Sequence, residues 1–268
     1  MGKPQARKTQ PSGLLSEMQR LYLRVSIAIF IFIVLKIPIM IKVIVFDAEG
    51  TLFNSLPKDE KIRNILKSQG YDRNLDEIGN AFRLSKRIAN LLHSNGLIKL
   101  DDSGYLLENE IRLMLLGFTD EESVTLARVM NEQWTRASNR TPYPETIDVL
   151  EALKNRYQIG LLTAGAVLSY SQTLKDMDLE KYFSFIIGED TINVPKPDPK
   201  AYVYVIKKAG CNADEILFIG DNMVNDYEGP IRSGMKAVLV DRENTCKKDI
   251  AKINDLTPLL DNEFIAKL

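Results

Sequence analysis

The chain has 268 residues, 45% of them hydrophobic and 26% charged, with 35 basic against 36 acidic side chains. That is globular material, long enough for one large domain and a smaller one, and a near-zero net charge leaves no electrostatic footprint for nucleic acid. A single histidine, His93, excludes histidine-rich metal sites and argues against a Ser-His-Asp triad, so acid–base work falls to carboxylates or lysine. Cys211 and Cys246 are far apart and lack metal-ligand spacing, the pattern of a reduced, intracellular protein.

Residues 1–39 read as an N-terminal extension. Lys3, Arg7, Lys8, Arg20 and Arg24 precede an apolar run from Val25 to Leu35, the charge pattern of a signal anchor. As a helix that run spans roughly 16 Å at about 1.5 Å per residue, about half of a hydrocarbon core of about 30 Å. Extending it to Ile41 takes in Lys36 and Pro38 and leaves no linker before the first strand. The expectation is therefore a start near Met40 and a cytoplasmic protein, with membrane contact through 25–41 as the alternative.

Val43 to Phe46 form an unbroken apolar run within an expected strand from Ile41 to Phe46, the composition of a parallel strand buried on both faces. It runs directly into Asp47-Ala48-Glu49-Gly50-Thr51-Leu52. Helical periodicity follows for some eighty residues, near 58–68, 74–94, 104–116 and 120–137, with Gly70, Gly96 and Gly117 as stops. From Tyr143 helix and strand alternate: helices near 144–155, 167–177, 199–208 and 227–234, strands near 157–163, 183–187, 215–220 and 236–240. Such alternation implies right-handed crossovers and an α/β, doubly wound parallel sheet. The first strand joins that sheet across the helical block, which makes 57–140 an inserted helical bundle on hinges near Ser55 and Asn139–Tyr143. The core is then 40–56 with 141–268.

Polar groups sit just past several strand ends: Asp47 and Glu49, then Thr163, then Lys196 in a loop, then Asp221 and Asp226. In a parallel sheet these ends converge on one edge. Carboxylates meeting one lysine and one hydroxyl suit an oxygen-ligated divalent metal beside a phosphate. Read one at a time, each residue also has a structural role: Asp226 as a helix cap, Thr163 as a strand end, Lys196 as a solvated loop lysine. His93 reads as a surface residue, and Tyr143, Trp134 and Met114–Phe118 as packing.

Together with Leu161-Leu162-Thr163-Ala164-Gly165, Val194-Pro195-Lys196-Pro197-Asp198-Pro199 and Ile219-Gly220-Asp221-Asn222-Met223-Val224-Asn225-Asp226, the Asp47 motif resembles the four ordered motifs of the haloacid dehalogenase (HAD) superfamily of hydrolases. The likeness covers residues 41–241 and is to the phosphatase-like branch with a C1-type helical cap. It implies Asp47 as nucleophile and Mg²⁺ held by Asp47, Asp221 and the backbone carbonyl of Glu49. It also implies that Thr163, Ala164, Gly165 and Lys196 bind the phosphate, that Asp226 supports Lys196 or a metal-bound water, and that the substrate is a small phosphate ester. Phosphatases of this kind carry aspartate as general acid and base where this chain has Glu49, one methylene longer. The alternatives are a 2-haloacid dehalogenase, a sugar phosphomutase, or a weakened phosphate-binding module.

Overall fold

The computed structural model describes residues 19–26, 40–137 and 140–268, and the chain divides into two compact units, Met1–Ile39 and Met40–Leu268. Residues 19–26 are helical, and no helix among the described residues is long and apolar enough to cross a membrane. Most of the apolar run from Val25, and Asn139 of the second hinge, lie outside the described residues.

In the larger unit, strands β1 (Val43–Phe46), β4 (Gln158–Leu162), β5 (Phe185–Ile187), β6 (Ile216–Gly220), β7 (Lys236–Val240) and β8 (Lys252–Ile253) make one parallel sheet of order β5-β4-β1-β6-β7-β8. Strand β1 is central because all four of its side chains are apolar and both faces are covered. Ile44 and Phe46 join Leu153, Leu161 and Leu174 on one side. Val43 and Val45 join Tyr202, Val205 and Phe218 on the other. The central strands also end in step, since Phe46 lies opposite both Leu161 and Ile219. Whatever follows each strand therefore arrives at one edge, and the chain departs from β1 toward β4 on one side and from β6 toward β7 on the other. Such a divergence of connections is where open α/β sheets bind ligands.

A second, two-stranded ribbon pairs β2 (Phe53–Asn54) with β3 (Thr141–Pro142) antiparallel. Between them lie α1 (Lys58–Ser68), α2 (Leu75–Ser94), α3 (Asp102–Leu115) and α4 (Asp120–Ala137). These helices bury a core of their own, with Ile62, Ile65, Leu66, Ile78, Leu113, Leu126 and Met130 at its centre. Trp134 and Phe118 pack there as expected, whereas Met114 is half exposed. His93 is partly buried, with a ring nitrogen 3.3 Å from the Ile98 carbonyl.

Sheet-side helices α5 (Thr146–Leu153), α6 (Val167–Asp176) and α8 (Pro199–Ala209) lie where the periodicity puts them; a short α7 (Glu189–Ile192) comes between the last two. Asp198 accepts the Lys200 N–H at 2.9 Å and Pro199 takes the first turn, so α8 starts as its sequence dictates. The helix expected at 227–234 differs. A π-helical turn, Met223–Glu228, runs into α9 (Gly229–Arg232), because Asn222 caps it by accepting the Val224 and Asn225 N–H groups at 3.0 Å. The cap is therefore Asn222, leaving Asp226 free for other work.

Leu113 is fully buried at the centre of the insert. Leu113→Ala should cost about 2–5 kcal/mol, read from urea denaturation. A loss below about 1 kcal/mol would mean that the insert core collapses around the gap.

Candidate active site

Asp47 leaves the end of β1 with its N–H donated to the Ile219 carbonyl at 2.8 Å, and its carboxylate is almost entirely buried. Lys196 reaches it from the loop before α8. The ammonium donates to Asp47 Oδ1 at 2.6 Å, to Asp226 Oδ1 at 2.6 Å and to the Leu162 carbonyl at 3.2 Å, so all three of its N–H bonds are used. Asp226 also accepts the Asn222 N–H through Oδ2 at 3.0 Å. Gly220 makes this approach feasible, because a Cβ there would lie 2.4 Å from the Asp226 Cβ.

Asp221 completes the group. One carboxylate oxygen from each of Asp47, Asp221 and Asp226 lies within 4.8 Å of the others, with Asp221 the most open of the three. Its side chain sits against Gly50, where a Cβ would fall 2.3 Å from Oδ2 and where φ is +82°. Burial pushes Asp47 up to about 7, with Lys196 opposing and Asp226 and Asp221 adding to the rise. Burial and then Asp226 push Asp221 up to about 6. Three carboxylates against one ammonium leave two negative charges in excess, which is what a divalent, oxygen-preferring cation compensates. The donor set thus fits such an ion, with Asp47 and Asp221 as ligands and Asp226 beside them.

Thr163 is buried past the end of β4, its N–H donated to the Ile187 carbonyl at 2.9 Å. Ala164 and Gly165 form the turn ahead of α6. The first N–H of that helix, from Val167, is already taken by Asp190 at 2.9 Å. A Cβ on Gly165 would meet the Tyr170 ring at 2.7 Å, so glycine lets the turn close on that ring.

The carboxylate of Glu49 points elsewhere. Its Oε1 accepts from Lys61 of α1 at 3.2 Å and from Arg140, just before β3, at 3.0 Å. Burial is the largest influence and raises its pKa, but Lys61 and then Arg140 outweigh it and hold the group below the ordinary glutamate range. Lys61 is wholly buried and also lies 3.4 Å from Ser55 Oγ. Arg140 donates to Ser169 Oγ at 3.0 Å and Thr173 Oγ1 at 3.1 Å, and its guanidinium stands 4.1 Å above the Tyr170 ring. Glu49 is therefore joined to the insert on one side and to α6 on the other.

Three site residues carry no sequence signal. Lys61 and Arg140 look like ordinary helix and loop cations, and Arg242 like a surface residue after β7. Arg242 in fact donates to the Gly50 carbonyl at 3.1 Å and the Thr51 carbonyl at 2.7 Å. It also pairs with Glu145 at 2.9 Å and stacks on the Tyr143 ring at 3.3 Å. It fixes the turn that follows Asp47 and Glu49.

A strand-end aspartate sharing a lysine with a second aspartate, inside a carboxylate cluster beside a buried threonine, defines a hydrolase site of the α/β class. Residues 41–234 match the model of the haloacid dehalogenase-like hydrolases, and the chain belongs to that family of enzymes. It is 31% identical over 202 residues to phosphoglycolate phosphatase 1 of Pseudomonas aeruginosa, covering 73% of this chain and 67% of that one. It is 24% identical over 229 residues to the glyceraldehyde 3-phosphate phosphatase of Methanopyrus kandleri, covering 84% and 91%. Among solved structures, a 2-haloacid dehalogenase from Pseudomonas syringae pv. Tomato DC3000 superposes with a TM-score of 0.65 at 22% identity, over 85% of this chain and 99% of that one. At that identity the likeness is one of fold.

In metal-free protein the fold holds the Asp47 and Asp221 protons more tightly than the unfolded chain does. Stability should therefore fall as pH rises from the ordinary carboxylate range, near 4, through about 6 and about 7. The melting temperature of chelated protein should drop across that window, and magnesium should restore more of it at about pH 8 than at about pH 5. A flat profile without a cation response would remove the cluster as a cation site.

Proposed function

We propose that the protein is a Mg²⁺-dependent phosphatase that hydrolyses a small phosphorylated metabolite through an aspartyl-phosphate. The observation that carries this reading is the carboxylate of Asp47, buried 2.6 Å from Lys196 within a cluster whose excess charge calls for a divalent cation. The phosphatase names of the two relatives support it.

Asp47 Oδ attacks phosphorus, an Asp–O–P bond forms, the ester P–O bond breaks and the leaving alkoxide takes a proton from water, so one difficult displacement becomes two easier ones. Water then attacks the acyl phosphate and releases inorganic phosphate. Lys196 positions Asp47 and places positive charge beside the phosphoryl oxygens, while Thr163 and the turn of Ala164 and Gly165 supply hydroxyl and amide donors. Bound Mg²⁺, held by Asp47 and Asp221 with the backbone carbonyl of Glu49, would offset repulsion between anionic nucleophile and anionic ester. The insert acts as a cap that excludes bulk water.

Glu49 has a defined part in this scheme. Lys61 and Arg140 hold it ionised, so that on turning toward Asp47 it can accept a proton from the attacking water of the second step. Misplacement of about 1 Å at such a group costs on the order of 100-fold in rate.

Wild-type protein should hydrolyse para-nitrophenyl phosphate with Mg²⁺ and not after chelation. Metal-independent chloride release from 2-chloropropionate would replace this reading with a dehalogenase, and no turnover of either would point to a binding module. Asp47→Asn should abolish hydrolysis while leaving the melt cooperative; residual turnover above roughly a tenth would exclude Asp47 as nucleophile.

Glu49→Gln should slow turnover by about 10²–10⁴-fold. Glu49→Ala should in addition cost about 3–5 kcal/mol, because Lys61 and Arg140 are then left buried without their anion. Denaturation and rate together check the assignment. Wild-type rates for both variants would show that this side chain moves no proton.

A further inference from the structure

Residues Ala48 to Phe53 turn the chain from the end of β1 into the ribbon, and their carbonyls are engaged with one exception. The Ala48 carbonyl accepts the Leu52 and Phe53 N–H groups at 2.9 and 3.0 Å, and the Phe53 carbonyl accepts from Gly50 at 2.8 Å. The Leu52 carbonyl accepts the Tyr143 N–H at 3.0 Å and the Thr146 hydroxyl at 2.9 Å. The carbonyls of Gly50 and Thr51 are taken by Arg242, at 3.1 and 2.7 Å. The Glu49 carbonyl is left over, with no hydrogen-bond donor among the described residues. Because the Glu49–Gly50 peptide is planar, the bond from the Gly50 N–H to Phe53 also fixes the direction of that carbonyl.

Arg242 is itself held. Its neighbour Asp241 staples the loop after β7 by accepting the Thr245 and Cys246 N–H groups, each at 2.9 Å. The Arg242 guanidinium lies 3.3 Å above the Tyr143 ring and pairs with Glu145 at 2.9 Å. Its planar fork spans two successive carbonyls, a fit that the point charge of a lysine does not reproduce. The turn it grips touches the cation site. Gly50, at φ +82°, lies so close to Asp221 that a Cβ there would fall 2.3 Å from Oδ2. A shift of the turn therefore moves the backbone on which Asp221 rests, and the Glu49 carbonyl with it. On charge alone a guanidinium beside a cation site opposes binding, so its service to the site lies in what it holds.

We infer that Arg242 is a positioning residue of the cation site: by clamping the Gly50 and Thr51 carbonyls it holds the Gly50 turn against Asp221 and so raises the affinity for Mg²⁺. The inference rests on the phosphatase reading for the identity of the ion and adds the residue that sets how tightly the ion is held.

The test is calorimetric titration of Mg²⁺, and separately of Ca²⁺, into metal-free wild-type, Arg242→Ala and Arg242→Lys protein, with the melting temperature of each metal-free form recorded alongside. Loss of a group that orients metal ligands costs about 10–100-fold in affinity, so Arg242→Ala should bind Mg²⁺ at least about tenfold more weakly. Arg242→Lys keeps the charge without the fork and should lose about three- to tenfold. Mg²⁺ demands near-ideal octahedral geometry and Ca²⁺ does not, so the loss for Ca²⁺ should be smaller. A charge effect alone has the opposite sign: Arg242→Ala would bind both ions more tightly and Arg242→Lys would match wild type. Either result overturns the inference. So does an unchanged Mg²⁺ affinity beside a lower melting temperature, which is what a purely structural residue would show. Should Arg242→Ala melt without cooperativity, Arg242→Lys decides the matter alone. Wild-type protein that takes up no Mg²⁺ removes the site and the inference with it. Absence of para-nitrophenyl phosphate hydrolysis by wild type, with Mg²⁺ affinity still dependent on Arg242, would instead strike the phosphatase reading and leave Arg242 in its role.

Discussion

One ammonium group shared by two carboxylates sets the terms for everything around it. Lys196 gives a 2.6 Å hydrogen bond to Asp47 and another to Asp226, and its third N–H goes to a strand carbonyl. Buried charges persist only when paired and hydrogen-bonded, so each of these groups depends on the others being in place. That requirement reaches back into the backbone. The central strands must end in register, Gly220 must lack a side chain for Asp226 to approach, and Gly50 must occupy a left-handed turn for Asp221 to lie against it. The sheet is thus a device for delivering three anions to one lysine, and the charge left over is what a divalent cation would compensate.

Around this centre runs a second, independent ionic system. Glu49 is only two residues from Asp47, yet its carboxylate belongs to Lys61 and Arg140. The two carboxyl groups are driven in opposite directions: burial dominates at Asp47 and raises it, while at Glu49 burial is again the largest single influence but Lys61 and Arg140 together outweigh it and lower it. Neighbouring carboxyls with separated proton affinities are a common arrangement where one site carries out two different steps. Arg242 anchors the turn that follows both carboxylates through the Gly50 and Thr51 carbonyls.

Much of this was readable in the sequence because its signals are periodic or local. The apolar run Val43–Phe46, the alternation after Tyr143, the Asp198-Pro199 helix start and the order of Asp47, Thr163, Lys196 and Asp221 all translate into structure through rules acting over a few residues. What escaped is what depends on tertiary approach. Nothing near Lys61 distinguishes it from Lys58 one turn earlier, yet one is wholly buried against Glu49 and the other exposed. Arg140 and Arg242 are isolated cations whose partners lie 91 and 192 positions away in the chain. Asn222 displaced Asp226 as the cap because a π-helical turn starts four residues before the expected helix, and its six residues are too few to show a period. The ribbon strands, at two residues each, leave no pattern to detect.

Among the described residues that ribbon is also the strand pairing at the insert's root, Phe53 with Pro142 and Asn54 with Thr141, extended only by the Tyr143 N–H on the Leu52 carbonyl at 3.0 Å. Joined so narrowly, the helices between Lys58 and Ala137 form a module that could be exchanged for another without rebuilding the sheet. The exchange is not free in charge, however. Lys61 travels with the insert and Arg140 sits at its root, while Glu49 stays with the sheet. A transplanted insert lacking the lysine would leave a buried carboxylate short of one counter-charge, and a sheet lacking the glutamate would reject this insert. Glu49 and the first helix of the insert are therefore coupled in charge, a constraint on exchange written in a single 3.2 Å contact.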